Sequence, residues 1–269
     1  MKEKEEIEEL LNGNNDLMGA LSFNKENSRD GREFKKFNEV VGFSSQVLQV
    51  LENTFHKKNE IVFLDCSCGK SYLSFALNYI LSKVSLLNTF FYGVDINQAL
   101  IEKCEKIRVL LGYDNMYFEK NRIIDVQPGK PIDIVIALHA CDVATDEAIA
   151  KGLKLQAEYI IVVPCCENAI RNRLRTGHPL VDLTDFGLLR YRFANVLTEA
   201  LRAQFLEGAG YHVKLTEITS PRFTPKNLMI IARKKKGNKV YSMDKFKNLD
   251  GMFNTEFVLK TYFNEYETN

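Results

Sequence analysis

The sequence predicts an α/β fold: a seven-stranded sheet, mostly parallel with an antiparallel edge strand, and helices on both faces. Three observations carry this. Short apolar runs alternate with segments of helical period between residues 61 and 163. Two further apolar runs, 211–219 and 227–233, follow one another directly, as an antiparallel pair at one edge does. The first two runs end in acids, Asp65 and Asp95, and the first leads into a turn of small residues.

Element by element, 2–12 reads as a helix and 13–31, polar and rich in Gly and Asn, as a loop. In 32–57 the apolar groups Phe34, Phe37, Val40, Val41, Phe43, Val47, Leu48 and Leu51 keep a mostly helical spacing. Strands are expected at 61–65, 89–95, 115–119, 132–138 and 158–163, with helices at 71–84, 97–111 and 143–152 between several of them. A longer, partly helical stretch covers 166–208, and the apolar groups of 241–269 predict a small docked helix. We divide the chain into an N-terminal helical extension (1–57), a central domain (58–233) and a basic, helical C-terminal tail (234–269).

Composition narrows the class. With 45% hydrophobic residues, 18 Phe and 11 Tyr, the chain has ample material for a core. It shows no apolar run of membrane-spanning length and no secretory signal pattern, so a soluble protein without a membrane partner is expected. Six scattered cysteines, two of them adjacent, suit a reducing, cytoplasmic setting. The net charge of +1 names no partner, and nothing in the sequence sets an oligomeric state. Locally, 171–202 holds six arginines against three acids, and 221–240 holds no acid at all. These two basic segments are candidate RNA-contacting surfaces, with solvated charged faces as the ordinary alternative.

The turn after the first strand, DCSCGKSYLSF, ends like a nucleotide-triphosphate loop. That loop needs a glycine five residues before Gly69, where this chain has Leu64. A dinucleotide fingerprint needs three glycines and finds one. An acid at the first strand's end repels pyrophosphate and suits a cationic or hydroxyl-rich ligand. In an open α/β sheet, ligands bind beyond the carboxyl ends of the strands, and an acid ending the second strand commonly accepts from ribose hydroxyls. Asp65 and Asp95 with Gly69 between them therefore favour a nucleoside ligand, helix N-capping being the alternative for either acid alone.

The order of strands, with Asp65-x-Ser67-x-Gly69 and then Asp95, resembles the class I S-adenosylmethionine-dependent methyltransferases over roughly residues 34–233. More narrowly, GKxxLS (Gly69–Ser74), HxCxxATD (His139–Asp146) and the PCC of 164–166 resemble one branch of that superfamily, which is similar to a tRNA 2′-O-methyltransferase family. The resemblance implies a Rossmann-like methyltransferase sheet and S-adenosylmethionine as cofactor. It assigns cofactor contacts to Asp65, Cys66, Ser67, Gly69, Asp95 and Ile96, and adenine contacts to the segment holding Asn121, Arg122 and Ile123. Ser67 and Ser71 stand where the superfamily often has glycine, so a positive φ there carries strain.

The acceptor end of such a site follows the fourth strand. His139 is the candidate general base, and Asp142 the candidate to orient it or take its place. The alternatives are a histidine bonded to a carbonyl and an aspartate capping the next helix. The cysteines near the same rim read as packing residues, and no metal ligand is assigned. The expected activity is methyl transfer to RNA, tRNA included, at a hydroxyl or a base nitrogen. A protein methyltransferase, or an inactive cofactor-binding scaffold, is the alternative.

Overall fold

The structure, a computed structural model, describes residues 4–23, 31–55, 58–84, 87–140, 143–164, 168–222, 224, 226–237 and 242–262. Three helices lead: α1 (Lys4–Asn12), α2 (Asn15–Ala20) and α3 (Arg32–Thr54). Then come β1 (Glu60–Cys66), α4 (Tyr72–Val84), β2 (Asn88–Asp95), α5 (Gln98–Leu111), β3 (Met116–Lys120), β4 (Ile134–Leu138), α6 (Val143–Lys154) and β5 (Tyr159–Val163). The chain continues through α7 (Asn168–Arg173), α8 (Val181–Thr184), α9 (Gly187–Gly208), β6 (Tyr211–Glu217), β7 (Leu228–Lys234) and α10 (Asp244–Phe253).

The sheet has seven strands in the order β3-β2-β1-β4-β5-β7-β6. β3, β2, β1, β4 and β5 run parallel, and β7 is reversed against both β5 and β6. The reversed strand thus lies one place in from the edge, and β6 closes the sheet. Strand order reverses beside β1, between β2 on one flank and β4 on the other, which puts the crevice of such a fold at the carboxyl end of β1.

The two faces are covered separately. Along β1, Ile61 and Phe63 join the apolar cluster of α1–α5, while Val62, Leu64 and Cys66 join that of α6, α9 and α10. This two-residue alternation is what a strand buried on both faces requires. The N-terminal helices share one cluster with the sheet, through Ile7, Leu11, Leu17, Val40 and Phe43 beside Phe63 and Phe91. A Cβ on Gly42 would lie 1.9 Å from the carbonyl oxygen of Ile218, so only glycine lets α3 lie this close.

One expected loop is partly helical. Within 13–31, α2 forms because Asn14 accepts from the Leu17 amide at 3.0 Å and Leu17 and Met18 are buried. The Asn-rich composition marked a helix cap there rather than only a turn. The expected helix in the tail is α10, whose Phe246 and Phe253 are buried against the α9 side.

Candidate functional site

A cavity of about 280 Å³ lies at the carboxyl end of β1. Its lining includes Asp65, Ser67, Gly69 and Lys70 from β1 and the following loop, Tyr72 from α4, Leu100 from α5, His139 from beyond β4, and Lys36 and Glu39 from α3. Of the residues singled out in the sequence, Asp65, Ser67, Gly69 and His139 therefore meet in one cavity.

The loop is held by three left-handed residues, Ser67, Gly69 and Ser71, at φ 57°, 58° and 53°. Only the glycine adopts this conformation without cost. The Ser71 hydroxyl offsets part of its strain by donating to Asp65 Oδ2 at 3.0 Å, and Ser74 donates to the same oxygen at 2.6 Å. Asp65 is buried, and burial pushes its carboxyl up to about 6 despite those two hydrogen bonds. A Cβ on Gly69 would meet nothing within 4 Å, so open space faces the loop at its midpoint.

Asp95 ties the loop to the next helix. Its Oδ2 accepts from the Gly69 amide at 2.9 Å, and its Oδ1 accepts from the Asn97 amide at 2.9 Å. The cap of α5 is Asn97, whose side chain accepts from Ala99. Asp95 is thus a clamp on the loop rather than the helix cap. Each of its oxygens keeps acceptor capacity for a further donor. Ile96 beside it is 70% exposed, an apolar side chain with one face bare to solvent.

Cys66, Ile123, Arg122 and Asn121 are not part of the cavity lining. The Cys66 side chain turns into the apolar cluster with Val94 and Ile123, and burial pushes its thiol up. Ile123 is itself buried in that cluster. Arg122 pairs with Glu147 of α6 at 3.0 Å, and Asn121 donates to Glu119 at 3.0 Å. Buried Lys151 of α6 donates to the Ile124 carbonyl at 3.0 Å, anchoring this segment from below. Asp142, with Cys141, Cys165 and Cys166, lies outside the described residues. Among the described residues no group of three or more His, Cys, Asp or Glu is placed to hold a metal ion.

His139 has a partner the sequence did not reveal. Its Nε2 lies 2.8 Å from Oε2 of Glu39, a carboxylate from α3 that is only 1% exposed. Glu39 Oε1 is buried without a hydrogen bond, its nearest cation being Lys35 at 3.8 Å. His139 is itself left-handed at φ 60°, with its amide donating to Val163 at 3.0 Å. A signal for Glu39 existed: it stands between Phe37 and Val40 on the apolar face of a long helix, where an unpaired glutamate is costly.

The basic segments are divided. Arg202 is buried and forks onto Asp146 of α6 at 2.8 and 3.2 Å, so it belongs to the core and not to an RNA-facing surface. His178, in the same stretch, is also buried, 3.1 Å from the Thr184 hydroxyl and against the Phe253 ring. In the acid-free run, Lys235 and Arg233 pair with Glu207 and Glu158 from elsewhere in the chain. Phe186 (67% exposed) and Tyr191 remain on the surface with Arg192, and Lys226 lies over the Tyr191 ring at 5.3 Å. No helix among the described residues is long and apolar enough to cross a membrane.

A family model described as Methyltransferase domain matches residues 35–173, just over half of the chain. A Glutathione S-transferase C-terminal domain-containing protein from Bos taurus is 29% identical over 123 residues, 37% of this chain, and the match spans only 19% of that protein. Among solved structures, magnesium protoporphyrin IX methyltransferase from Synechocystis PCC 6803 with bound SAH superposes with a TM-score of 0.52 at 16% identity, covering 86% of this chain and 99% of that one. That likeness shows a shared fold. An rRNA methylase from Streptococcus thermophilus reaches a TM-score of 0.44 at 11% identity over 66% of this chain and 89% of that one, too slight a likeness to bear on the acceptor.

Proposed function

We propose that this chain, which belongs to the Methyltransferase domain family, is an S-adenosylmethionine-dependent methyltransferase whose acceptor is RNA. The residues present fit the cofactor. Asp65, a buried carboxylate lifted to about 6, is a site that a cationic ligand stabilises. The open space at Gly69 admits close approach to the loop backbone, and bare Ile96 offers an apolar face beside the ribose-suited Asp95. Bound S-adenosylmethionine supplies an electrophilic methyl group on a sulfonium.

The chain's own residues do the rest. Asp65 holds the cationic end, Asp95 fixes the Gly69 amide and takes ribose hydroxyls, and the Ser67–Ser71 loop shapes the floor. Cys66 contributes backbone only, and Ile123 supports the adenine side from within the core. Arg122, held by Glu147, borders that side. His139 takes the proton of the acceptor group, and Glu39 holds its ring. With Nε2 engaged by Glu39, Nδ1 is the ring nitrogen assigned to the proton. The role of Asp142, to orient His139 or take its place, rests on sequence alone.

The observation that carries the RNA reading is the exposed pair Phe186 and Tyr191, with Lys226 over the tyrosine and Arg192 beside it. Aromatic rings set among cations are how single-stranded nucleic acid is gripped. Exposed Leu183, Leu188 and Leu189 on the same stretch favour a second reading, a protein acceptor. Calorimetric titration with S-adenosylmethionine, repeated on Asp95→Ala, tests the donor site: binding by the intact chain must be lost in the variant. Labelled methyl groups from the donor, followed into cellular RNA and protein fractions, then separate the two acceptors. Label in protein alone overturns the RNA reading.

A further inference from the structure

Lys36 on α3 and Lys70 in the loop after β1 both line the His139 cavity. Both ammonium groups rest on one ring, that of Tyr72, at 5.0 and 5.7 Å from its centroid. Neither has a carboxylate partner among the described residues, whereas neighbouring Lys35 pairs with Glu39, and Lys58, Lys130, Lys235 and Lys260 each pair with an acid. The two buried carboxylates of the cavity do not neutralise them. Glu39 is engaged with His139, and Asp65 with Ser71 and Ser74. Two cations without a carboxylate partner among the described residues therefore approach one aromatic ring that lines the site.

We propose that Lys36, Lys70 and Tyr72 form a subsite for an oxyanion at the mouth of the cavity. The anion is a phosphate of the acceptor RNA. This rests on the donor and acceptor reading above. Lys36 and Glu39 are three residues apart on α3 and so share one helix face, where the first is exposed and the second buried. The anion is held at the exposed end of that face, and the reacting group reaches inward to His139. A lysine is a point charge suited to phosphate, and the tyrosine ring adds a surface on which a base stacks. Helix α3, which precedes the sheet, is on this view a wall of the binding site rather than a support for the core alone.

The test uses Lys36→Met, Lys70→Met and the double variant, with Lys36→Arg as the charge-keeping control. Both side chains are exposed, so the variants should fold as the wild type does. Affinity for a fluorescein-labelled single-stranded oligouridylate is measured across salt concentrations, and S-adenosylmethionine and 5′-methylthioadenosine, which lacks the amino-acid end, are titrated by calorimetry. If the anion is an RNA phosphate, the salt slope becomes shallower by about 0.7 per lysine removed, and the double variant binds RNA roughly tenfold more weakly at low salt. Weakened S-adenosylmethionine binding, with methylthioadenosine binding and RNA affinity unchanged, assigns the lysines to the donor's carboxylate and overturns the proposal. Unchanged RNA and donor affinities in the double variant, with a wild type that binds both, overturn the subsite and leave the function standing. A wild type that binds neither overturns both.

Discussion

His139 Nε2 and Glu39 Oε2 lie 2.8 Å apart, although one residue follows β4 and the other stands on α3, outside the sheet. The pair joins two features that stability alone disfavours: a left-handed histidine and a buried carboxylate with one oxygen lacking a hydrogen bond. Such compromises gather where chemistry is done. On the proposed reading, with His139 as the base, Glu39 is a positioning residue for it. Glu39→Leu is expected to leave unfolding free energy within about 1 kcal/mol of wild type, since an apolar isostere removes a poorly compensated charge. The same change lowers kcat on the order of 10²-fold with donor affinity preserved. Lost stability with unchanged kcat would make the pair structural only.

Asp65 sets a pH dependence whose sign can be worked out. Its carboxyl titrates at about 6 in the folded chain against an ordinary 3.8, chiefly through burial. A raised folded value contributes stability that is present below the ordinary value and lost as pH rises through about 6. The apo protein should thus lose up to about 3 kcal/mol between pH 4 and 6, and Asp65→Asn should remove that slope. Cofactor affinity runs the other way. A cationic ligand needs the carboxylate, so binding weakens as pH falls below about 6, and the asparagine variant binds weakly at every pH. Calorimetry and urea melts over this range decide it. A slope that survives in Asp65→Asn assigns the effect elsewhere.

The loop after β1 offers a matched pair of changes. Ser67 and Ser71 are both left-handed, but only Ser71 donates to Asp65. Ser67→Gly should raise stability by roughly 0.5–1 kcal/mol, strain relief exceeding the extra freedom of the unfolded chain. Ser71→Gly gains the same relief and loses a hydrogen bond to a buried carboxyl, for a net loss of about 1 kcal/mol. Equal effects from the two would mean that the Ser71–Asp65 bond contributes nothing.

What the sequence disclosed follows from which relationships are local. Asp65, Ser67 and Gly69 fall within five residues, and Asp95 ends the neighbouring strand, so strand order alone brings them to one crevice. Glu39 reaches His139 across 100 residues of chain, and only the packing of α3 on the sheet shows it. Arg202 shows the limit of charge counting. It shares the buried face of α9 with Ala194, Leu197, Thr198, Leu201 and Phe205, a spacing that was visible, but the Asp146 that neutralises it stands on α6. Only the neutralised pair explains why an arginine tolerates that face.

The seating of α3 depends on Gly42, and this can be tested apart from any ligand. A Cβ there would lie 1.9 Å from the Ile218 carbonyl oxygen and 3.3 Å from its Cβ. The first contact is with backbone, which has no rotamer with which to move aside. In Gly42→Ala the helix must shift or tilt, at a cost of roughly 1–3 kcal/mol even though alanine is the better helix former. Glu39 lies less than one turn away on the same helix, so the shift carries its carboxylate off His139. The expected result is a lower urea midpoint, reduced kcat, and donor affinity close to wild type, because Asp65, Gly69 and Asp95 stand on other elements. Gly19, where a Cβ meets nothing within 4 Å, serves as the control: Gly19→Ala should stabilise α2 slightly and leave kcat alone. Unchanged stability in Gly42→Ala would show that α3 has room to spare and that its placement over the site is not fixed by this contact.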